Sequence, residues 1–171
     1  YVAIEERVIE DFDIDNLEKE RKRIAALLRS EGYFYFDKEY IGFAADTTLE
    51  NKQVRLHMIV RPIRKLVGKN TFIDIEHEKY NVRNVNYFLT NDAISLSGDS
   101  INISLEHKKY KNINIYSNNN FVRKNTLHNF TSINSNSLYN EKTVDQTYAK
   151  LAGLKIFKYL NISFKETEDS L

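Results

Sequence analysis

Two stretches of the chain carry one pattern, Gly32-Tyr33-Phe34-Tyr35-Phe36-Asp37-Lys38-Glu39-Tyr40-Ile41-Gly42-Phe43 and Gly153-Leu154-Lys155-Ile156-Phe157-Lys158-Tyr159-Leu160-Asn161-Ile162-Ser163-Phe164. Gly32, Phe36, Ile41 and Phe43 fall without gaps on Gly153, Phe157, Ile162 and Phe164, an offset of 121 residues with the spacing G-x3-F-x4-I-x-F. Each copy follows a segment with helical apolar spacing. The recurring unit reads as a helix stopped by glycine, a close turn, and an aromatic-rich strand packed back under that helix. Such a recurrence predicts a structural duplication.

Working outward from the first copy, Asp15-Asn16-Leu17-Glu18 reads as an N-cap acid with a glutamate three residues on. A helix is expected from there to about Ser30, with Leu17, Ile24, Leu27 and Leu28 inward and Glu18, Glu20, Arg21, Lys22 and Arg23 on a solvated face. A short helix is read at Val2 to Ile9. Tyr33 to Phe43 reads as a strand, Asp46-Thr47-Thr48 as a turn, and Val54 to Val60 as a half-buried strand of period two, closed by Pro62. The basic, weakly periodic Ile63 to Tyr80 reads as a connection that includes at most a short strand.

In the second half, strands are expected at Val82 to Leu89, Ile101 to Leu105 and Ile113 to Tyr116, the last two as an inserted hairpin. Helices follow at Arg123 to Phe130 and Glu141 to Ala152. Asn140 caps the second, whose apolar face is read as Val144, Tyr148 and Leu151. A strand at Lys155 to Lys165 completes the second copy. The fold class is therefore α+β, with two units at 1–64 and 65–171 and an insertion at about 93–121. Each unit is an incomplete copy of a β-α-α-β-β composite, lacking the first strand in one and the last in the other.

The composition narrows the function classes. The 171 residues are 42% hydrophobic and 29% charged, enough apolar side chain for a packed core at a mean hydropathy of −0.53. Lys and Arg number 25 against 24 Asp and Glu, so no chain-wide field draws in nucleic acid. The absence of cysteine excludes disulfides, thiolate zinc sites and cysteine nucleophiles. No run of about 18 apolar residues is present. A first residue other than Met reads as a segment of something longer.

Chemical motifs are absent. His57, His77, His107 and His128 are scattered, Glu76-His77-Glu78 lacks a second ligand at helical spacing, and Ser97-Gly98-Asp99-Ser100 reads as a turn. The 5 glycines form neither a dinucleotide fingerprint nor a phosphate loop. The expectation is a non-enzyme with no cofactor and no metal.

The composite, with Leu17-Glu18-Lys19-Glu20-Arg21, Tyr40-Ile41-Gly42-Phe43-Ala44-Ala45-Asp46-Thr47, Ser137-Leu138-Tyr139 and Thr147-Tyr148-Ala149-Lys150-Leu151-Ala152-Gly153, resembles POTRA domains. More narrowly, it is similar to the periplasmic arrays of the BamA/TamA superfamily of outer-membrane barrel proteins. The likeness is strongest at 12–47 and 137–166. It implies two tandem units, each a mixed three-stranded sheet under two helices, preceding a membrane barrel outside this segment. It further implies a scaffold on the periplasmic side of the outer membrane, whose partners are unfolded outer-membrane clients and accessory envelope proteins, not nucleic acid.

If that resemblance holds, the mechanism lies in strand edges. The second strand of each unit has one side unpaired, at Tyr40, Ile41, Gly42, Phe43 and Ala44 in one copy and Leu160, Asn161, Ile162, Ser163 and Phe164 in the other. Such an edge adds an extended client segment through main-chain hydrogen bonds. Its side chains Ile41, Phe43, Ile162 and Phe164 read as core. A second reading is a polyanion-binding module that uses Arg61, Arg64, Lys65 and Lys69 and the run Lys108-Lys109-Tyr110-Lys111 against nucleic acid or polysaccharide.

Overall fold

A computed structural model describes residues 13–46, 55–90, 105–117 and 121–167. The architecture is mixed α+β, with three helices and several small sheets among the described residues. Two compact units emerge, one of residues 13–29 and 35–78, the other of 30–34 and 79–167. The chain passes between the units at 29/30, 34/35 and 78/79, whereas the sequence predicts a single boundary at 64/65. The expected helix at Val2 to Ile9, the turn at Thr47-Thr48 and the insertion strand at Ile101 to Ser104 lie outside the described residues.

The first unit opens on α1, Ile14–Ser30. Its cap is Asp13 and not the expected Asp15, because the Asp13 carboxylate accepts the Asp15 N–H at 3.1 Å. Gly32 follows with φ of +102°, the left-handed turn that ends the helical run. The strand expected from Tyr33 begins only at Ile41. Asp37 intervenes, accepting the Glu39 N–H at 2.9 Å and closing a 3-10 turn at Lys38–Tyr40. Strand β1 (Ile41–Asp46) then pairs antiparallel with β2 (Arg55–Val60), Ile41 opposite Val60 and Asp46 opposite Arg55.

Beyond Pro62 the segment read as a connection is a second hairpin, β3 (Ile63–Leu66) with β4 (Phe72–Ile75). After it, the His77 ring donates to the Arg61 carbonyl at 2.9 Å and packs 4.7 Å from Phe36 and 4.6 Å from Tyr40, centroid to centroid. These contacts tie the segment to the first unit. Its buried side chains are Ile24, Ala25 and Leu28 of α1 with Phe36 and Ile41.

The second unit contains β5 (Asn81–Val82), β6 (Val85–Leu89), β7 (Glu106–Tyr110) and β8 (Ile113–Ser117). Of the two strands expected as an appended hairpin, Ile113 to Tyr116 is instead the central strand of the sheet, whose order is β6-β8-β7 with β6 and β8 parallel; its antiparallel partner is Glu106–Tyr110 and not the expected Ile101 to Leu105. Alternation drives this. Ile113, Ile115 and Ser117 of β8 are all buried, so the central strand sinks one face into the core. On the opposite face Tyr116 stacks between Phe88 at 4.9 Å and His107 at 4.7 Å.

Two helices cover the core face, α2 (Lys124–Phe130) and α3 (Glu141–Gly153), with β9 (Ser137–Leu138) between them pairing with β5. Asn140 caps α3 as expected, accepting the Thr143 N–H. The inward position read as Tyr148 is Thr147. Thr147 is 2% exposed and Tyr148 49%, because the inward stripe runs Val144, Thr147, Leu151 at helical spacing. The Thr147 hydroxyl offsets its burial by donating to the Thr143 carbonyl at 2.7 Å and accepting the Ser132 N–H at 2.8 Å.

The strand expected at Lys155 to Lys165 is not formed. Among the described residues, 154–167 pair with no strand; Leu154, Phe157 and Leu160 lie against the cluster of Leu89, Ile113, Ile115, Leu127 and Leu151. Ile162 lies against Val82, Ile133 and Tyr139, and Phe164 packs 5.2 Å from Phe34 and 5.3 Å from Tyr139. The glycine equivalence also breaks. Gly153 lies within α3, and the left-handed residue beyond that helix is Lys155, with φ of 54°.

Candidate functional site

The ladder of the first unit fixes which backbone groups of β1 point outward. The Arg61 N–H donates to the Tyr40 carbonyl at 2.8 Å, so Tyr40 and Arg61 face each other as a hydrogen-bonded pair in the register of β1 and β2. Alternation then makes Gly42 with Ile59 and Ala44 with His57 hydrogen-bonded pairs. Ile41, Phe43 and Ala45 occupy the intervening positions, and their N–H and C=O groups point away from β2. The Ile41 N–H closes back on Lys38, while no strand other than β2 pairs with β1 among the described residues.

A groove of about 310 Å³ lies against the first three residues of β1. Ile14, Leu17, Glu18 and Arg21 of α1 form one wall and Ile41 to Phe43 the other, with Arg61 at the rim. Gly42 permits the rim to close in. A Cβ there would stand 3.2 Å from the Arg61 guanidinium, tighter than ordinary contact. The walls differ across the strand: Ile41 and Phe43 share one face with the opposed Met58 and Val60, and Gly42 shares the other with His57.

Charges lock the helix to the turn before β1. Arg21 donates to Glu18 at 3.0 Å, to Glu39 at 3.2 Å and to the Lys38 carbonyl at 3.2 Å. Lys38 donates to the same Glu18 carboxylate. That hydrogen bond holds Glu18 below its ordinary 4.5 despite opposing desolvation, with the charges of Lys38, Arg21 and Lys22 adding to it. Lys38 is raised above its ordinary 10.5 by the same bond. The face read as merely solvated therefore anchors the groove, and only the mid-strand Gly42 signalled a close approach in the sequence.

Of the residues expected to form edges, Tyr40 ends the 3-10 turn and Ile41, Gly42, Phe43 and Ala44 lie in β1, the first three of these four lining this groove. Leu160, Asn161, Ile162, Ser163 and Phe164 belong to the second unit and form no strand. Of the basic residues, Lys108 pairs with Glu106 at 2.8 Å, lowering the Glu106 carboxyl, Arg64 sits 5.5 Å over the Phe72 ring, and Lys109 and Lys111 line a hollow together with Arg83. In the second unit, burial raises the Tyr87 hydroxyl above its ordinary 10.0, opposed by its hydrogen bond to Thr131.

Among the described residues no three His, Cys, Asp or Glu side chains gather as metal ligands, and no helix is long and apolar enough to cross a membrane. No family model, curated protein or solved structure matches the chain.

Proposed function

We propose that the first unit accepts an extended segment of another polypeptide along the outer edge of β1. The observation that carries this reading is the nearness of edge and groove: Phe43, with outward main-chain groups, lines about 310 Å³ of space left by α1, and Ala45 continues the same open edge beyond it. An added strand gains main-chain hydrogen bonds there, and its alternate side chains meet different walls. One set lies toward Ile14, Leu17 and Phe43, the other toward Gly42 and Arg61. A client of alternating apolar and polar residues fits this division, which is the pattern of membrane β-barrel strands.

The wider reading is a pair of tandem POTRA-like units on the periplasmic side of an outer-membrane assembly or translocation factor. In this reading the chain handles unfolded outer-membrane clients or accessory envelope proteins without catalysis. Its support is the succession α1, Gly32 turn, β1-β2 hairpin along the chain, and a mixed three-stranded sheet with α2 and α3 in the second unit.

Ala45→Pro tests the edge directly. The Ala45 N–H points away from β2, so proline there removes an outward donor without deleting a ladder bond. In an NMR titration with an alternating barrel-strand peptide, wild-type amide shifts are expected across Ile41 to Ala45 at low and high salt alike, and A45P should lose them. Peptide shifts located elsewhere, or abolished by salt, would sink strand addition at this edge.

A further inference from the structure

From Arg64 to Asp74, β3, β4 and the turn between them are exposed at every residue, and Ile63 and Ile75 at the base are half-buried. Four large apolar side chains stand in this stretch: Leu66, Val67, Phe72 and Ile73 are between 39% and 57% exposed. Register distributes them around the hairpin. Leu66 opposes Phe72 and shares a face with it, whereas Ile73 opposes Lys65 on the other face. The Val67 N–H donates to the Thr71 carbonyl at 2.7 Å and closes the turn, in which Gly68 has φ of +90°. A Cβ on Gly68 would meet no atom within 4 Å, so the tip projects into open space.

Charge has one sign where these apolar side chains lie. Residues 63–73 contain Arg64, Lys65 and Lys69 and no carboxylate; acids begin at Asp74 and continue at Glu76 and Glu78, toward the base. Arg64 holds its guanidinium 5.5 Å over the Phe72 ring, cation beside apolar surface. Apolar side chains gathered in the open and rimmed by cations mark an interaction surface whose partner is apolar inside and negative at its rim.

We propose that this hairpin dips into the interface of a lipid bilayer that carries anionic headgroups. A protein groove or a second copy of the chain covers one face of a hairpin, and here the apolar side chains lie on both. The headgroup layer of a bilayer surrounds a protruding tip on all sides. Arg64 and Lys65 stand one or two residues behind Leu66, at about 3.3 Å per residue, so they meet phosphates while Leu66, Val67 and Phe72 reach the acyl boundary. Lys69, in the turn, returns its ammonium to the phosphates along its four-carbon stem and keeps the insertion shallow. Strands of four residues fall short of the about 9 that a membrane-crossing strand needs, so the hairpin rests in the surface and does not span it. This binding is independent of strand addition at β1.

The chain has no tryptophan, so Phe72→Trp in the full 171 residues gives a single fluorescent reporter on the hairpin. With vesicles of equimolar phosphatidylcholine and phosphatidylglycerol, its emission is expected to shift to the blue and to be quenched by lipids brominated close to the headgroup. Binding to phosphatidylcholine alone should be about tenfold weaker or more. In the same background, Arg64→Gln, Lys65→Gln and Lys69→Gln together should remove most of that preference. Leu66→Thr with Ile73→Thr, two exposed positions where threonine suits a strand, should weaken binding to the anionic vesicles about tenfold with the thermal midpoint unchanged. No blue shift, or equal binding to neutral vesicles, would overturn the assignment. So would a blue shift without vesicles, whether it grows with protein concentration, as for a second copy, or follows addition of the alternating barrel-strand peptide, as for a protein partner.

Discussion

Ile41 to Phe43 and Ile162 to Phe164 carry the same apolar spacing after the same glycine-aromatic run, yet one is a strand and the other is not. The difference is a partner. Ile41–Asp46 finds β2 a short connection away and completes six paired positions with it. Among the described residues nothing offers Ile162 to Phe164 a second strand, and their side chains are taken instead by the clusters around Tyr139 and Phe34. Apolar periodicity states which side chains seek burial; a strand also needs backbone groups to meet.

The comparison breaks first at the aromatic position. Phe36 is 4% exposed, whereas Phe157 is only partly buried at the margin of its cluster. Phe36→Ala is expected to cost about 4 kcal/mol and Phe157→Ala about 2 kcal/mol. Urea titrations read through amide signals of each unit would measure both, and equal costs would restore the equivalence of the two copies.

At the glycines the sign itself should invert. A Cβ on Gly32 would lie 2.7 Å from the Leu138 side chain in a backbone of φ +102°, so Gly32→Ala should destabilise by about 2 kcal/mol. Gly153 is helical with open space around it, and Gly153→Ala should stabilise by about 0.5 kcal/mol. Thermal unfolding of the two variants checks the pair. A loss at both sites would mean that Gly153 is held as Gly32 is.

The smallest effect concerns acid. Glu18 has a folded pKa below its ordinary 4.5, so its stabilisation is present above 4.5 and is lost as pH falls through the folded value. Unfolding of the first unit should therefore become easier as pH drops below about 4.5, and Glu18→Gln should flatten that part of the profile. The second unit, monitored through Tyr87 and Tyr139, should be indifferent to this substitution.

Much of the helical framework was legible. α1 to Ser30, α2, α3 and its Asn140 cap follow from apolar spacing and cap chemistry, as do β2 and β8 from strict alternation. The β3-β4 hairpin was not, because Leu66, Phe72 and Ile73 are all exposed and a strand with neither face buried leaves no period-two signal. Thr147 was hidden by its polarity: a buried hydroxyl bonded to its own helix reads as a surface residue. At the groove, the sequence placed Ile41 to Ala44 on an edge strand but gave no warning that Glu18 and Arg21 would wall it. Those two residues acquire that role only through Lys38 and Glu39, 17 to 20 positions away along the chain.

The assignment of Ser30–Phe34 to the second unit bears on how this chain could be inherited or dissected. Gly32 accepts the Tyr80 N–H at 2.9 Å, and the Phe34 ring lies among Tyr80, Tyr139 and Phe164. A recombination event joining at 78/79 would carry Phe34 away with its neighbours in sequence and leave its neighbours in space behind. A module transplanted by that single crossover arrives without one of its own core aromatics, so the two units are exchangeable only as a pair.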